Sequence, residues 1–290
     1  MAGSAGSVTP MEHVRWTNRP ELRRPVLIAA FEGWNDAGDA SSNAVRWLHQ
    51  RWDAEPFAHI DPEEFFDFTS ARPQVRLDEG QQREVVWPGL ELSAATIPGT
   101  DTDVVLLLGT EPQLRWRTFC AQVSEVATTC GVRLALTLGA LLADISHAAP
   151  VSVIGTAYDP EVVVRLGLVP SSYEGPTGIV GVLHDALARA GVASASLWAA
   201  VPSYVPGAPS PKAQLALVER TCEMLDVAMV TTDLEIAAAS YERQITELVE
   251  SDDDTAAYVR RLEEGDEDDD AEDGDLVAEV ERFLRDHRDD

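Results

Sequence analysis

The run Val26-Leu27-Ile28-Ala29-Ala30-Phe31 puts apolar side chains on both alternating faces of a strand. A strand written this way has no wet face and belongs inside a sheet covered on two sides. A glycine-bearing turn follows, Glu32-Gly33-Trp34-Asn35-Asp36-Ala37-Gly38. Next comes a helix that Asp39 or Ser41 is expected to cap, with Ala44, Val45, Leu48 and Trp52 at helical spacing. Strand, turn and amphipathic helix is how an α/β domain opens its ligand or partner face.

The alternation continues along the chain. Residues 103–108, 132–138, 151–157 and 195–201 read as strands. Residues 113–130, 160–166 and 179–190 read as helices between them, with Gly131 and Gly191 closing two of them. This predicts the α/β class, with a mostly parallel sheet under helices on both faces. Three shorter runs, 75–77, 84–87 and 92–97, are split by Gly80 and Pro88-Gly89 and predict antiparallel ribbons. Beyond Pro206 the pattern turns helical, with Ser210-Pro211 as one helix start and Thr232 with Glu235 as a capping box for the next. Four regions follow: an extended N-terminal arm at 1–24, an α/β domain at 25–208, packed C-terminal helices at 209–250, and an acidic linker with a terminal helix at 251–290. Leu276, Val277, Val280, Phe283 and Leu284 form the apolar stripe of that last helix. Folding is expected not to need the chain from Ser251 onward.

Charge narrows the function classes. The 290 residues carry a net charge of −28, and residues 251–290 alone hold 18 acidic against 5 basic side chains. Both parts of the chain repel a phosphate backbone, so nucleic acid is not an expected partner. No stretch approaches the roughly 20 apolar residues of a membrane span, and residues 1–10 carry no basic and apolar leader. A cytoplasmic location is expected. Cys120, Cys130 and Cys222 form no C-x-x-C pair, and no histidines stand at metal-binding spacing. Neither metal nor cofactor is expected, and His184, beside Asp185 on a helix, is expected to face solvent. Lys212 is the single lysine among 22 basic residues.

Several segments could carry chemistry or binding. The turn after the first strand lacks the lysine and hydroxyl of a phosphate loop and the three glycines of a dinucleotide fingerprint. Its Asp36 and Asp39 suit the positive end of a helix instead. Leu108-Gly109-Thr110-Glu111-Pro112 sets Thr110 and Glu111 at the carboxyl edge of the sheet, where α/β proteins place ligands. Tyr173-Glu174-Gly175-Pro176-Thr177-Gly178-Ile179 is a glycine-rich turn whose Thr177 can cap a helix. Glu111 and Glu174 make a carboxylate pair where the fold brings them within reach. Arg72, Arg76 and Arg83 surround the ribbon as an anion site, interleaved with Asp78, Glu79 and Glu84. No catalytic constellation is complete, and the G-x-S-x-G elbow is absent. The candidate binding surface is therefore Trp34, Asn35, Asp36, Glu111, Tyr173, Glu174 and Thr177, with Trp34, Phe65, Phe66 and Phe68 as exposed aromatic anchors.

Five segments stand in order: Phe31-Glu32-Gly33-Trp34-Asn35-Asp36-Ala37-Gly38, Asp61-Pro62-Glu63-Glu64-Phe65, Leu108-Gly109-Thr110-Glu111-Pro112, Thr137-Leu138-Gly139-Ala140, and the turn from Tyr173 to Ile179. Together they resemble the PAC2 family, named for a proteasome assembly chaperone, and its uncharacterised actinobacterial branch, over residues 26–250. The resemblance implies a three-layer α/β/α domain similar to the nucleoside phosphorylases, with a helical C-terminal part. It also implies self-association, with a trimer expected, and proteasome subunits as partners. Archaeal members dock through a hydrophobic-Tyr-X tail, a pattern that residues 285–290 do not carry. The leading reading is a non-enzymatic protein-binding module, in its specific form an assembly chaperone. The alternative is an enzyme or binder of a nucleoside-like small ligand, which needs Asn35, Glu111, Glu174 and an arginine in one pocket. A purely structural oligomer is the third.

Overall fold

The computed structural model describes residues 12–77, 82–170, 174–205 and 207–266. The chain runs from β1 (Val14–Trp16) and β2 (Val26–Glu32) through helix α1 (Ala40–Arg51) to β3 (Glu55–Ile60). A ribbon of β4 (Gln74–Leu77) and β5 (Arg83–Val86) precedes β6 (Leu90–Thr96) and β7 (Asp103–Thr110). Helix α2 (Trp116–Thr129), β8 (Leu134–Ala143), β9 (Val153–Ala157) and α3 (Pro160–Leu166) follow. The two-residue β10 (Val169–Pro170), α4 (Ile179–Arg189) and β11 (Ala193–Pro202) complete the sheet. Among the described residues three helices come after it: α5 (Pro211–Met224), α6 (Thr232–Glu250) and α7 (Asp253–Asp266).

The main sheet has the order β1-β3-β6-β7-β2-β8-β11-β9-β10. Its centre, β7-β2-β8-β11, is parallel throughout, and the strands joined to that centre on either side, β6 and β9, run antiparallel to the central strands they join. β2 shows why its sequence is apolar at every position. Leu27, Ala29 and Phe31 enter the core under α2 and α4, while Val26, Ile28 and Ala30 enter the core under α1 and α5. The result is three layers, with a helix pair burying each face of the sheet. The runs at 75–77 and 84–87 pair as an antiparallel ribbon apart from the main sheet, whereas the third short run joins it as β6.

Two features differ from the sequence reading. His184 is not at the surface: it is 4% exposed, facing the sheet from α4. Its Nδ1 meets Ser194 Oγ at 2.7 Å, and its Nε2 meets Ser196 Oγ at 2.7 Å and Thr137 Oγ1 at 3.0 Å. Three hydroxyls thus satisfy a ring that would otherwise be costly to bury. The second difference is at Ser251, where a linker was expected and a helix begins almost at once. Asp252 Oδ1 accepts the Thr255 amide at 2.8 Å, and Val259 packs with Tyr241, Ile245 and Val249 of α6 in a small third core. The terminal stripe at 276–284 lies outside the described residues.

The helices α6 and α7 fasten the loop that leaves β8. Tyr258 donates to Asp144 Oδ1 at 2.9 Å, Ser146 to Glu263 Oε1 at 2.8 Å, and His147 Nε2 meets Thr246 Oγ1 at 3.0 Å. Lys212 Nζ reaches three acceptors, the carbonyls of His147 and Ala148 and Glu242 Oε2, at 2.7, 3.2 and 2.7 Å. Three divergent acceptors suit the ammonium of a lysine and not the planar fork of an arginine. This geometry accounts for a lysine at this position.

Candidate functional site

β2 and β7 are adjacent and parallel, yet the chain leaves them in opposite directions. After β2 it enters α1 on one face, and after β7 it enters α2 on the other. The crevice between their carboxyl ends is therefore a switch point, the place where open α/β sheets bind ligands. The turn 33–39 and the segment 109–112 form its two walls.

Asp36 shapes the first wall. It is 5% exposed, and its Oδ1 accepts the Ser41 amide at 2.8 Å, the Ser41 hydroxyl at 2.6 Å and the Ser42 amide at 3.0 Å. It is Asp36, and neither Asp39 nor Ser41, that caps α1. A left-handed pair at Gly38 and Asp39 kinks the turn, so the carboxylate three residues earlier reaches the helix end. The Asn35 carbonyl accepts the Ala140 amide of β8 at 2.8 Å and pins the turn across the sheet.

Glu111 shapes the second wall. Its carboxylate accepts the backbone amides of Trp34 and Ile179, and Asn35 Nδ2 lies 3.5 Å from Oε1. Burial pushes the Glu111 carboxyl above its usual range, and the two amides pull against that shift. Ile179 opens α4, so Glu111 takes the capping role expected of Thr177, which is exposed and makes no cap bond. The half-buried Trp34 ring lies over Gly178, where an added Cβ would meet it at 3.2 Å. Three segments far apart in sequence thus meet around one carboxylate.

The sequence reading missed a second polar group at this edge. Arg46 of α1 forms an ion pair with Glu32 at the end of β2, and Thr110 Oγ1 donates to the same carboxylate at 3.2 Å. The only signal was an acidic residue ending an apolar strand with an arginine two turns into the next helix.

Of the candidate surface, the fold joins Trp34, Asn35 and Glu111 directly, with Asp36 next to them. Glu174 and Thr177 are exposed on the approach to α4, and Tyr173 lies outside the described residues. Arg72, Arg76 and Arg83 are exposed around the separate ribbon and form no ion pair among the described residues. Phe65 and Phe66 are not surface anchors. At 0% and 3% exposure they belong to the core, Phe65 edge-on to Phe119 at 5.5 Å, because the Asp61-Pro62 turn folds them inward. Phe68 is half-buried against Trp87, ring centroids 4.8 Å apart, and Trp87 is the exposed member of the pair. A groove between α5 and β9, lined by Val151, Val153, Cys222 and Met229, includes none of the candidate residues. Among the described residues no group of three or more His, Cys, Asp or Glu is placed to hold a metal, and no helix is long and apolar enough to cross a membrane.

Replacing Glu111 with alanine leaves two backbone amides and the Asn35 amide without their acceptor. The expected loss is about 2 kcal/mol of unfolding free energy, measured by denaturant titration. A loss under half that would show that water replaces the carboxylate.

Comparison with known proteins places this architecture. The family model described as the PAC2 family matches residues 30–249. This chain belongs to the PAC2 family. A PAC2 family protein from Streptomyces avermitilis is 45% identical, with a TM-score of 0.76 over 81% of this chain and 99% of that one. A proteasome-assembly chaperone homologue from Mycobacterium tuberculosis is 46% identical, with a TM-score of 0.73 over 81% of this chain and 99% of that one. An archaeal proteasome activator from Pyrococcus furiosus shares the fold at 17% identity, with a TM-score of 0.65 over 81% of this chain and 97% of that one. No curated protein matches the chain. The PAC2 match begins at Ala30, in the strand that leads into the candidate turn, and ends at Val249, within α6.

Proposed function

We propose that this PAC2 chain is a non-enzymatic protein-binding module, an assembly chaperone whose clients are proteasome subunits, acting in the cytoplasm as a homo-oligomer. One observation carries the reading. At the switch-point crevice, Glu32, Asp36 and Glu111 are each bonded within the chain, holding turns and helix ends. Large apolar side chains are exposed near it, Leu114 at 46% and Trp87 at 51%, among the polar Gln113, Arg115 and Glu174. Large exposed apolar side chains beside a rigid frame suit a protein partner. Trp34, Glu174 and Thr177 contribute to the surface, Asn35, Asp36 and Glu111 support it from beneath, and Tyr173 precedes Glu174 in sequence. The mycobacterial homologue supports the choice of client. A nucleoside-type ligand would need Asn35 and Glu111 free to turn outward, and both are engaged.

The test is binding of the purified chain to purified actinobacterial proteasome subunits, read by native mass spectrometry. A stable complex is expected, weakened at least tenfold by Leu114→Asp, which alters an exposed side chain. Absence of any complex at micromolar concentration overturns the client, and binding unaffected by Leu114→Asp overturns the surface.

A further inference from the structure

The ribbon β4–β5 stands apart from the main sheet. Cross-strand partners share a face, so Val75 with Val85 and Leu77 with Arg83 form one side, while Arg76 with Glu84 lies on the other. Val75, Leu77 and Val85 are 61%, 64% and 49% exposed. An isolated two-stranded ribbon is at best marginally stable in water, and an apolar side left open on one marks a contact surface. Arg72, Arg76 and Arg83 around it form no ion pair among the described residues, although the chain's net charge is −28. The apolar side therefore carries one arginine, Arg83, and it fits a partner that is apolar with carboxylates.

The chain carries such a surface itself. Helix α3 and its lead-in expose Tyr158 at 61% and Val164 at 83%, beside the exposed acids Asp159 and Glu161, with Arg165 next to Val164. This patch sits by β9 and β10 at one end of the sheet, while the ribbon leads into β6 near the other. Five strand spacings separate β6 from β9, about 24 Å at ~4.8 Å each, so the two patches do not meet within one copy.

We propose that the ribbon of one copy docks on the α3 patch of a second copy, head to tail. Val75, Leu77 and Val85 cover Tyr158 and Val164, and Arg83, on the same side of the ribbon, faces Asp159 and Glu161. Contacts between two different patches generate a ring when the rotation closes, and a ring of three is the assembly expected here. The inference rests on the self-association part of the reading above and names its interface.

Light scattering on the eluting full-length chain tests it, with Leu77→Asp on the ribbon and Val164→Asp on α3. Both side chains are exposed, so unchanged circular dichroism and melting temperature are expected for each variant. The wild type is expected to elute as an oligomer and each variant at the mass of one chain. Mixing the two variants restores one intact junction, and the mass doubles to that of a dimer. Ribbon-to-ribbon pairing gives no such rescue, so a mixture that stays monomeric overturns the proposal. An oligomer that survives either substitution overturns it too, while leaving self-association in place. A monomeric wild type overturns both, without touching the client test at Leu114.

Discussion

Gly109→Ala is expected to cost about 3 kcal/mol or more of unfolding free energy. A Cβ at this position would lie 1.9 Å from the Gly89 carbonyl oxygen and 2.8 Å from Leu90 Cα. Both are backbone atoms, so no side-chain rotation relieves the clash. The end of β7 would have to part from β6, losing the Leu90–Gly109 pairing and the bond from the Thr110 amide to Gly89. Thr110 and Glu111 would move with it, so the crevice wall suffers along with stability. Gly89 itself, directly across the gap, is the control. A Cβ there meets nothing closer than 3.9 Å, and Gly89→Ala should stay within about 0.5 kcal/mol. Equal denaturation midpoints for the two variants would show that the strands separate freely.

The second large effect is a loss of stability in mild acid. Burial lowers the His184 pKa from 6.5 to about 4. Between those values the unfolded chain takes up a proton that the folded chain refuses. His184 therefore supports the fold fully above about pH 6.5, and that support drains away as the pH falls towards 4. The difference amounts to about 3 kcal/mol at the lower limit. His184→Gln keeps a neutral polar group and has no such proton to bind. It should be less stable at neutral pH, yet the gap to the wild type should shrink by most of that amount as the solution is acidified. Parallel stability curves for the two proteins would exclude His184 as the titrating group.

The strands were legible because they are buried on both faces, which leaves a continuous apolar signature that short-range pattern can read. The bounds of α3 were legible as well, set by Pro160 at its start and Gly167 after its end. The helix caps of the candidate site were not. Sequence proximity favoured Asp39, Ser41 and Thr177. The groups that cap are Asp36, brought round by a kink, and Glu111, brought from another strand. A long-range donor–acceptor pairing leaves no trace in local spacing. His184 was misplaced for a related reason. Its neighbour Asp185 suggested a wet face, whereas the informative residues were Ser194 and Ser196, which alternate onto one side of β11 beneath it. The acidic start of α7 also misled, since Asp252 there caps a helix and its charge suggested only solvation. Family resemblance grouped the candidate segments that pattern alone could not join.

The bonding of Lys212 has a practical consequence for anyone mapping the complexes of this protein. Amine-directed cross-linkers find one lysine side chain in 290 residues, and its nitrogen is committed to three acceptors. Lysine-lysine distance maps will therefore be nearly blank even for a tight assembly, and that blankness says nothing about contact. The 50 carboxylates offer the opposite case. Hydrazide or carbodiimide chemistry aimed at them will report on this chain's neighbours where amine chemistry stays silent.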